Sequence, residues 1–144
     1  MNIDSITNGI VLDHIQAGRS MDIYRYLHLD RLECSVAIIK NVKSVAMGRK
    51  DIIKIDDDIS IDLDVLGYID PGITVNIIQN GVICEKKHLS LPERLRNIVK
   101  CKNPRCITAE ETSLDQEFFL ADRESGTYRC VYCEARLGDK HDHR

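Results

Sequence analysis

Four cysteines in the last third of the chain have the type and spacing of a metal site. They form two close pairs, Cys101 with Cys106 and Cys130 with Cys133, separated by the hairpin-length insert 107–129. Two such pairs are the signature of a tetrahedral site in which four thiolates bind one zinc ion. Because four protein ligands leave no open position for water or substrate, we expect this zinc to be structural rather than catalytic.

Disulfide bonds are the alternative for these cysteines, and disulfides persist in oxidising compartments. Residues 1–20 carry Asp4, Asp13, His14 and Arg19 and lack a continuous apolar run, so we expect no signal peptide. Nowhere does an apolar run approach the roughly 20 residues that span a bilayer. We therefore expect a reducing, cytoplasmic setting, no membrane partner, and cysteines that bind metal.

The segment around the cysteines is too short to bury much of a hydrophobic core, so zinc would supply folding free energy on the order of 10 kcal/mol. The 144 residues of the chain suffice for two small domains, which we place at 1–88 and 100–144. Between them, Ser90 and Glu93 form a capping-box pattern that predicts a short helical joint over 89–99.

The first domain alternates between strand and helix patterns in the order β-α-β-β-α-β, with a hairpin at the end. The predicted strands are 10–15, 34–40, 45–55, 73–79 and 82–87, with a turn at 41–44, and the predicted helices are about 20–29 and 60–67. Asn80-Gly81 between two apolar runs is a strong hairpin signal. This order predicts a ferredoxin-like fold of the α+β class, an antiparallel sheet with both helices on one face.

The second domain contains a further hairpin signal. Residues 118–121 and 127–130 are strand-like runs that flank the turn residues Glu124-Ser125-Gly126. Together with the cysteines they predict a small all-β, rubredoxin-like zinc domain. The polar tail at 139–144, which includes His141 and His143, is expected to be frayed rather than metal-binding.

Cationic groups near strand ends are the second candidate for chemistry. The net charge of −3, with both signs mixed, gives no global reason to expect nucleic-acid binding. Lys50 and Lys54 are four residues apart on a strand and therefore share a face. With His14, Lys86 and Lys87 they would suit a di- or triphosphate, because ammonium groups act as point charges for phosphate. Ordinary solvated lysines are the alternative, and composition alone favours it.

Residues for catalysis are sparse. Asp13 and His14 are adjacent, but neighbours on a strand point to opposite faces, so we do not expect them to act together on one substrate atom. The sequence contains no nucleophile elbow, phosphate-binding loop or glycine-rich dinucleotide motif. Cys34 and Cys84 lie in strand-like surroundings and are expected to be small, half-buried hydrophobic residues.

Five features together resemble the regulatory chain of aspartate carbamoyltransferase over nearly the whole chain. They are residues 9–15, 47–55, 74–76 and 90–94, and the pattern of four cysteines. The resemblance implies a non-catalytic subunit in pyrimidine biosynthesis. Its N-terminal domain would bind the nucleotide effectors CTP and ATP and pair with a second regulatory chain. Its zinc domain would dock on the catalytic chain, in an assembly of two catalytic trimers and three regulatory dimers.

The resemblance also implies a nucleotide site, carried over position by position. It includes Ile6, Val11, Asp13, His14, Lys50, Lys54, Asn76, Ile78, Ile83 and Lys86. Within this set, Lys86 and His14 would contact phosphate, and Lys54 and Asp13 would contact ribose. Gly81 stands where some family members have an aromatic residue beside the base, so the preference between CTP and ATP stays open.

Two other classes of function are compatible with parts of the sequence. A zinc-ribbon module that binds nucleic acid would use the cations around the cysteines, Lys100, Lys102, Arg105, Arg129 and Arg136. The acidic residues between 110 and 117 weaken that field, so we do not expect nucleic acid as a partner. A small enzyme that uses Asp13 and His14 is the other alternative.

Overall fold

The computed structural model describes residues 6–138, and the chain divides into two compact units between Ser90 and Leu91. The tail predicted to be frayed, with His141 and His143, lies outside the described residues, as do residues 1–5 of the predicted first domain. Within the described part of the chain, no helix combines the length and apolar character needed to cross a membrane.

The first unit contains five strands and two α-helices in the predicted order. The strands are β1 (Gly9–Gln16), β2 (Val36–Ser44), β3 (Gly48–Ile55), β4 (Thr74–Gln79) and β5 (Val82–His88). The helices are α1 (Ser20–Tyr26) and α2 (Leu63–Ile69), and a short 3-10 helix covers Leu29–Arg31. All strand pairs are antiparallel, in the order β2-β3-β1-β4-β5. The prediction of an α+β, ferredoxin-like fold is confirmed, with β5 added at one edge.

One face of this sheet is covered and the other is open. Alternate residues of the three central strands are almost fully buried in the core, namely Ile10, Leu12, Ile53, Ile55 and Val75. Helix α1 buries Ile23, α2 buries Leu66 and Tyr68, and the two helices contact each other. A period of two along an antiparallel strand places every second side chain on the face away from the helices, where a ligand could reach it.

The turn between β2 and β3 lies at 45–47 rather than at the predicted 41–44. Asn41, the turn signal in the sequence, instead forms a β-bulge, with a register shift between Ile39 and Val42 and a φ of 64°. Its backbone N–H donates to the buried carboxylate of Asp51 at 2.9 Å. That hydrogen bond accounts for the bulge, because asparagine tolerates the left-handed region and the carboxylate holds it there.

The second unit is a small three-stranded sheet with one short helix. Its elements are β6 (Arg94–Arg96), α3 (Ile107–Glu110), β7 (Glu117–Asp122) and β8 (Thr127–Cys130), and the strand order is β6-β7-β8. Leu95, Phe118 and Tyr128 form its apolar interior, each 1–2% exposed. The predicted hairpin is therefore present as β7 and β8, and it ends at Cys130, the third of the four clustered cysteines.

The predicted helical joint is wrong, because residues 89–99, all of them described, contain strand β6 and no helix. Residues of the β7–β8 hairpin donate hydrogen bonds to the backbone carbonyl groups that such a helix would need as acceptors. The Leu91 carbonyl accepts from the Arg123 guanidinium at 3.0 Å, and the Pro92 carbonyl accepts from the Tyr128 hydroxyl at 2.5 Å. The next carbonyl, at position 93, accepts from the backbone N–H of residue 120 at 2.9 Å. These contacts outweigh the local capping-box signal, which is a weak preference.

Cys34 is half-buried as expected, but Cys84 is exposed. Cys84 lies on the edge strand β5, whose first five residues are all exposed. A strand at the edge of a sheet has a neighbour on one side only, so an apolar sequence pattern does not guarantee burial there.

Candidate functional site

The four cysteines of the second unit converge on one point. Their Sγ atoms all lie within 4.8 Å of one another, and Cys101–Cys133 and Cys106–Cys130 are each separated by 3.7 Å. A metal with tetrahedral bonds of about 2.3 Å to sulfur places its ligands about 3.8 Å apart, whereas a disulfide requires about 2.05 Å. The arrangement therefore fits a tetrathiolate metal site, and all four cysteines are free.

Two loops supply these ligands. Cys101 and Cys106 lie between β6 and α3, while Cys130 ends β8 and Cys133 lies in the turn that follows. The second loop is closed by hydrogen bonds from Cys130 N–H to the Ala135 carbonyl at 3.0 Å and from Glu134 N–H to the Cys130 carbonyl at 2.9 Å. Glu134 has a φ of 62°, the left-handed conformation that lets the chain turn back so that the Ala135 carbonyl reaches Cys130.

Hydrogen bonds and burial shift the pKa values of the four cysteine thiols in opposite directions. Burial raises the pKa of Cys101 to about 12 and also raises the pKa of Cys130. The Thr108 hydroxyl donates to Cys106 Sγ at 3.1 Å and lowers that pKa. A hydrogen bond from the Asn103 side chain lowers the pKa of Cys133 to about 7. Because a metal would need all four thiolates, its binding would have to displace protons from Cys101 and Cys130, whose pKa values are raised.

The predicted nucleotide residues of the first unit lie across the open face of the sheet. Lys54 of β3 is opposite Val11 of β1, Val11 is opposite Asn76 of β4, and Asn76 is opposite Lys86 of β5. Opposite residues of antiparallel strands project from the same face. These four residues, which we call the central row, thus place a lysine at each end with an apolar and an amide side chain between them.

Asn76 is an unusual member of the central row. It is only 7% exposed, and its Oδ1 atom has no hydrogen-bond partner within the described structure. An unpaired buried acceptor costs about 1–3 kcal/mol, so a ligand group that donates a hydrogen bond there would be favourable.

A β-bulge brings Asp13 and His14 to the same side of β1. Leu12 and Ile15 are both fully buried, the register shifts between them, and His14 has a φ of 59°. Asp13 and His14 are therefore both half-buried rather than alternating, which corrects the expectation that they lie on opposite faces. An alternating sequence pattern contains no signal for the extra residue of a bulge.

Each of these two side chains has a partner. The Lys50 ammonium lies 2.9 Å from an Asp13 carboxylate oxygen, and His14 Nδ1 lies 3.2 Å from the Thr74 hydroxyl. Burial alone would raise the pKa of Asp13, but the hydrogen bonds from Lys50 and from the His14 backbone N–H lower it. Asp13 is therefore a carboxylate at neutral pH and neutralises part of the lysine charge.

The three predicted isoleucines lie at the other end of the open face. Ile78 is opposite both Gly9 of β1 and Ile83 of β5, and Ile83 is 54% exposed. Ile6 is only 5% exposed and lies against Gly9, where an added Cβ would come within 2.8 Å of its Cγ2 atom. Ile78 and Ile83 thus offer an accessible apolar surface, whereas Ile6 is buried against Gly9.

An open pocket of about 800 Å³ lies beside the central row rather than on it. Of the predicted nucleotide residues it includes only His14, and the tip of the β2–β3 hairpin contributes Met47, Gly48 and Arg49. Sequence reasoning missed Arg49 as a cation near His14. Its position next to Lys50 within the matching stretch 47–55 was the available signal.

Two protein-family models match the chain. The model described as "Aspartate carbamoyltransferase regulatory chain, allosteric domain" matches residues 1–90. The model described as "Aspartate carbamoyltransferase regulatory chain, metal binding domain" matches residues 93–142. The two matches fall on the two compact units, and the second contains all four cysteines.

Curated relatives are named in the same way. The aspartate carbamoyltransferase regulatory chain of Clostridium botulinum (strain Hall) is 52% identical over 134 residues, which cover 93% of this chain and 92% of that protein. That of Clostridium tetani is 49% identical over 135 residues (93% and 94%), and that of Bifidobacterium longum is 45% identical over 139 residues (95% and 100%). The resemblance is confirmed: the chain belongs to the family of aspartate carbamoyltransferase regulatory chains, and it is a regulatory rather than a catalytic chain.

Proposed function

We propose that the first unit binds nucleotide effectors such as CTP and ATP, and that the second unit holds zinc and docks on catalytic chains of aspartate carbamoyltransferase. The observation that carries the nucleotide proposal is the central row. Strands β3, β1, β4 and β5 bring Lys54, Val11, Asn76 and Lys86 side by side on the face that the helices leave open.

The side chains on this face are chemically suited to the phosphate, ribose and base groups of a nucleotide. Lys86, Lys50 and His14 supply cationic or hydrogen-bonding groups for phosphates, and ammonium groups bind phosphate as point charges. Asp13 and Lys54 suit ribose hydroxyl groups, which both donate and accept hydrogen bonds. Ile78, Ile83 and Val11 form the apolar part, against which a base would pack. The unpaired Asn76 acceptor could take a hydrogen bond from a base amino group or a ribose hydroxyl.

Zinc is the metal that we propose for the cysteine site. Four thiolates in a tetrahedral arrangement suit zinc or iron, and structural zinc sites are closed by four protein ligands of this kind. The site would supply no catalytic step, because no ligand position is open. Its thiols remain reduced in a cytoplasmic setting, which is the localisation we propose.

The docking surface of the second unit lies next to the metal. Ile107 and Tyr132 are its large apolar residues with high exposure among those described, at 51% and 42%. Ile107 follows Cys106 and Tyr132 precedes Cys133, so each is fixed by a metal ligand next to it in the chain. Exposed apolar side chains held next to fixed backbone, an aromatic one above all, are typical of interface anchors. This position links metal binding to docking.

We also propose that the chain pairs with a second copy as a regulatory dimer. The supporting observation is that β2 and β5 are edge strands, each with a neighbour on one side only. Such edges favour pairing with another chain. The mass of the isolated zinc-loaded chain, measured by light scattering after gel filtration, tests this part: a monomer at micromolar concentration contradicts it.

Titration calorimetry with CTP and with ATP tests the nucleotide site. Lys86→Ala should weaken binding, while Lys87→Ala serves as the matched control because Lys87 is opposite the core residue Val75 and so lies on the other face. Equal affinities of the two variants would contradict the assignment of Lys86. Absence of nucleotide binding by the unaltered chain would overturn the proposal for the whole first unit.

Mixing the chain with catalytic trimers of aspartate carbamoyltransferase tests docking. With zinc bound, a larger complex should form and should be visible by analytical ultracentrifugation, and removal of zinc should abolish it. Tyr132→Ser and Ile107→Ser should weaken the complex while the metal content stays unchanged. If no complex forms with zinc present, the docking proposal fails.

A further inference from the structure

One residue outside the cysteine motifs holds a metal ligand in place. The side-chain oxygen of Gln116, Oε1, accepts a hydrogen bond from the backbone N–H of Cys101 at 3.0 Å. Gln116 immediately precedes β7 and lies 15 positions further along the chain. This hydrogen bond therefore connects the sheet of the second unit to the first cysteine loop.

Gln116 is itself held at its backbone by Asn97. The Asn97 side-chain oxygen accepts from the Gln116 N–H at 2.9 Å, and the Asn97 N–H donates to the Gln116 carbonyl at 2.7 Å. Asn97 also donates through its side-chain nitrogen to Asp115 at 3.0 Å, and Asp115 is paired with the Arg96 guanidinium. A network with this many partners holds the Gln116 backbone in one position.

The residue after Gln116 holds the second cysteine loop. The carbonyl of Glu117 accepts from the backbone N–H of Val131 at 3.0 Å, and Val131 follows the ligand Cys130. Two adjacent residues at the start of β7 thus contact both loops that supply the metal ligands. Their spacing in the strand is fixed, so they set the separation between the two cysteine pairs.

We infer that Gln116, fixed by Asn97, is a positioning residue for the metal site that keeps Cys101 at bonding distance and slows the loss of metal. The inference rests on the proposed metal site. Residues outside the ligand shell that orient ligands in this way typically change metal affinity by about 10- to 100-fold when they are replaced.

The test uses the full chain loaded with Zn²⁺ and measures the rate of zinc transfer to a chromogenic chelator. Gln116→Leu keeps the size of the side chain but removes the acceptor, and it should release zinc about tenfold faster than the unaltered chain. Gln116→Glu keeps an acceptor oxygen at the same place and should restore slow release. Ser113→Ala, an exposed change in the same loop, is the control and should have no effect.

Spectra of the Co²⁺-loaded chain separate positioning from a general loss of stability. If Gln116 positions Cys101, the ligand-field bands of Gln116→Leu should shift, and those of Gln116→Glu should match the unaltered chain. Equal zinc-release rates and unchanged bands for Gln116→Leu would overturn the inference, as would equally fast release by the Leu and Glu variants.

A second variant covers the case in which Gln116→Leu does not fold. Asn97 has a φ of 56°, so Asn97→Gly removes the side chain without backbone strain. It should release zinc faster than the unaltered chain, and an unchanged rate would overturn the inference. Failure of the unaltered chain to take up zinc or cobalt would instead overturn the proposed metal site itself.

Discussion

The ammonium group of Lys50 lies 2.9 Å from a carboxylate oxygen of Asp13, and the two side chains are 16% and 22% exposed. The pair joins β3 to the bulge in β1 and lies on the open face of the sheet, near the central row. Because the carboxylate neutralises only part of the local positive charge, the pair can orient the lysine towards a phosphate group while leaving the surrounding field favourable for an anion.

Replacement of this lysine should weaken nucleotide binding selectively. For Lys50→Met we expect about a tenfold weaker affinity for CTP or ATP, since a hydrogen bond to a charged group is lost. The corresponding nucleosides, which lack phosphate, should be affected less. Calorimetry with nucleotide and nucleoside measures the difference, and Lys43→Met, at an exposed position of edge strand β2, is the control. Equal effects on nucleotide and nucleoside would contradict a phosphate contact by Lys50.

Asp51 should make the stability of the first unit depend on acid pH. This buried carboxylate accepts from the backbone N–H groups of Gly18, Ser20 and Asn41. Burial alone would raise its pKa, but hydrogen bonds from Ser20, Asn41 and Gly18 lower it below the ordinary 3.8. A depressed pKa in the folded state contributes stability above the unfolded value, and that stability is lost as pH falls through the folded pKa.

We therefore expect Asp51→Asn to destabilise the first unit by about 2–3 kcal/mol at neutral pH, because the amide replaces a charged acceptor for several N–H donors. The difference from the unaltered chain should shrink as the pH falls below the ordinary carboxyl pKa of 3.8. Urea unfolding at several pH values measures it, with the exposed Asp58→Asn as the control. A difference that does not shrink at any acid pH at which the chain still folds would show that the charge of Asp51 does not matter.

Removal of metal should unfold the second unit and spare the first. A segment of this size buries little apolar surface, so it depends on a metal contribution on the order of 10 kcal/mol. Amide resonances of residues 91–138 should collapse when a chelator is added, while those of the first unit persist. Cys101→Ser should behave like the chelated chain, whereas Cys34→Ser and Cys84→Ser should keep full metal content. Persistence of the dispersed resonances after complete chelation would refute the dependence.

The hydroxyl of Tyr128 should contribute to the stability of the second unit independently of its ring. The ring is 2% exposed, and the hydroxyl donates to the Pro92 carbonyl at 2.5 Å. Tyr128→Phe keeps the ring and should cost about 1 kcal/mol, measured by thermal unfolding of the metal-loaded chain. Tyr132→Phe, at an exposed position, is the control. Identical melting temperatures for both variants would mean that the hydrogen bond contributes nothing.

Local patterns in the sequence predicted most of the fold. The Asn80-Gly81 hairpin formed because both residues adopt the left-handed region, with φ values of 54° and 80°. The capping box at Ser90 and Glu93 did not form a helix, because contacts with residues far along the chain took the carbonyl groups. Local sequence signals predict the structure correctly where the conformation depends on the segment's own residues. They fail where contacts with distant residues determine the conformation.

The two candidate sites also differ in whether their residues could be recognised from local sequence patterns. The cysteine set could be found from spacing alone, because the ligands come from two short loops. The proposed nucleotide residues could be named only through the family resemblance, since β-sheet register joins positions as distant as 11, 54 and 86. Gln116, Asn97 and Thr108 could not be found from sequence, because a glutamine, an asparagine or a threonine comes to support a cysteine loop only through its position in the folded chain.

The central row has a consequence for the folding equilibrium of the first unit. A ligand that contacts all four of its residues bridges strands β3, β1, β4 and β5, so it can bind only when all three strand pairings are formed. Any such ligand stabilises the native state by mass action, by about 2.7 kcal/mol at a concentration of one hundred times its Kd. The melting temperature of this domain should therefore rise with the concentration of any such ligand, and the rise can be measured without a catalytic chain.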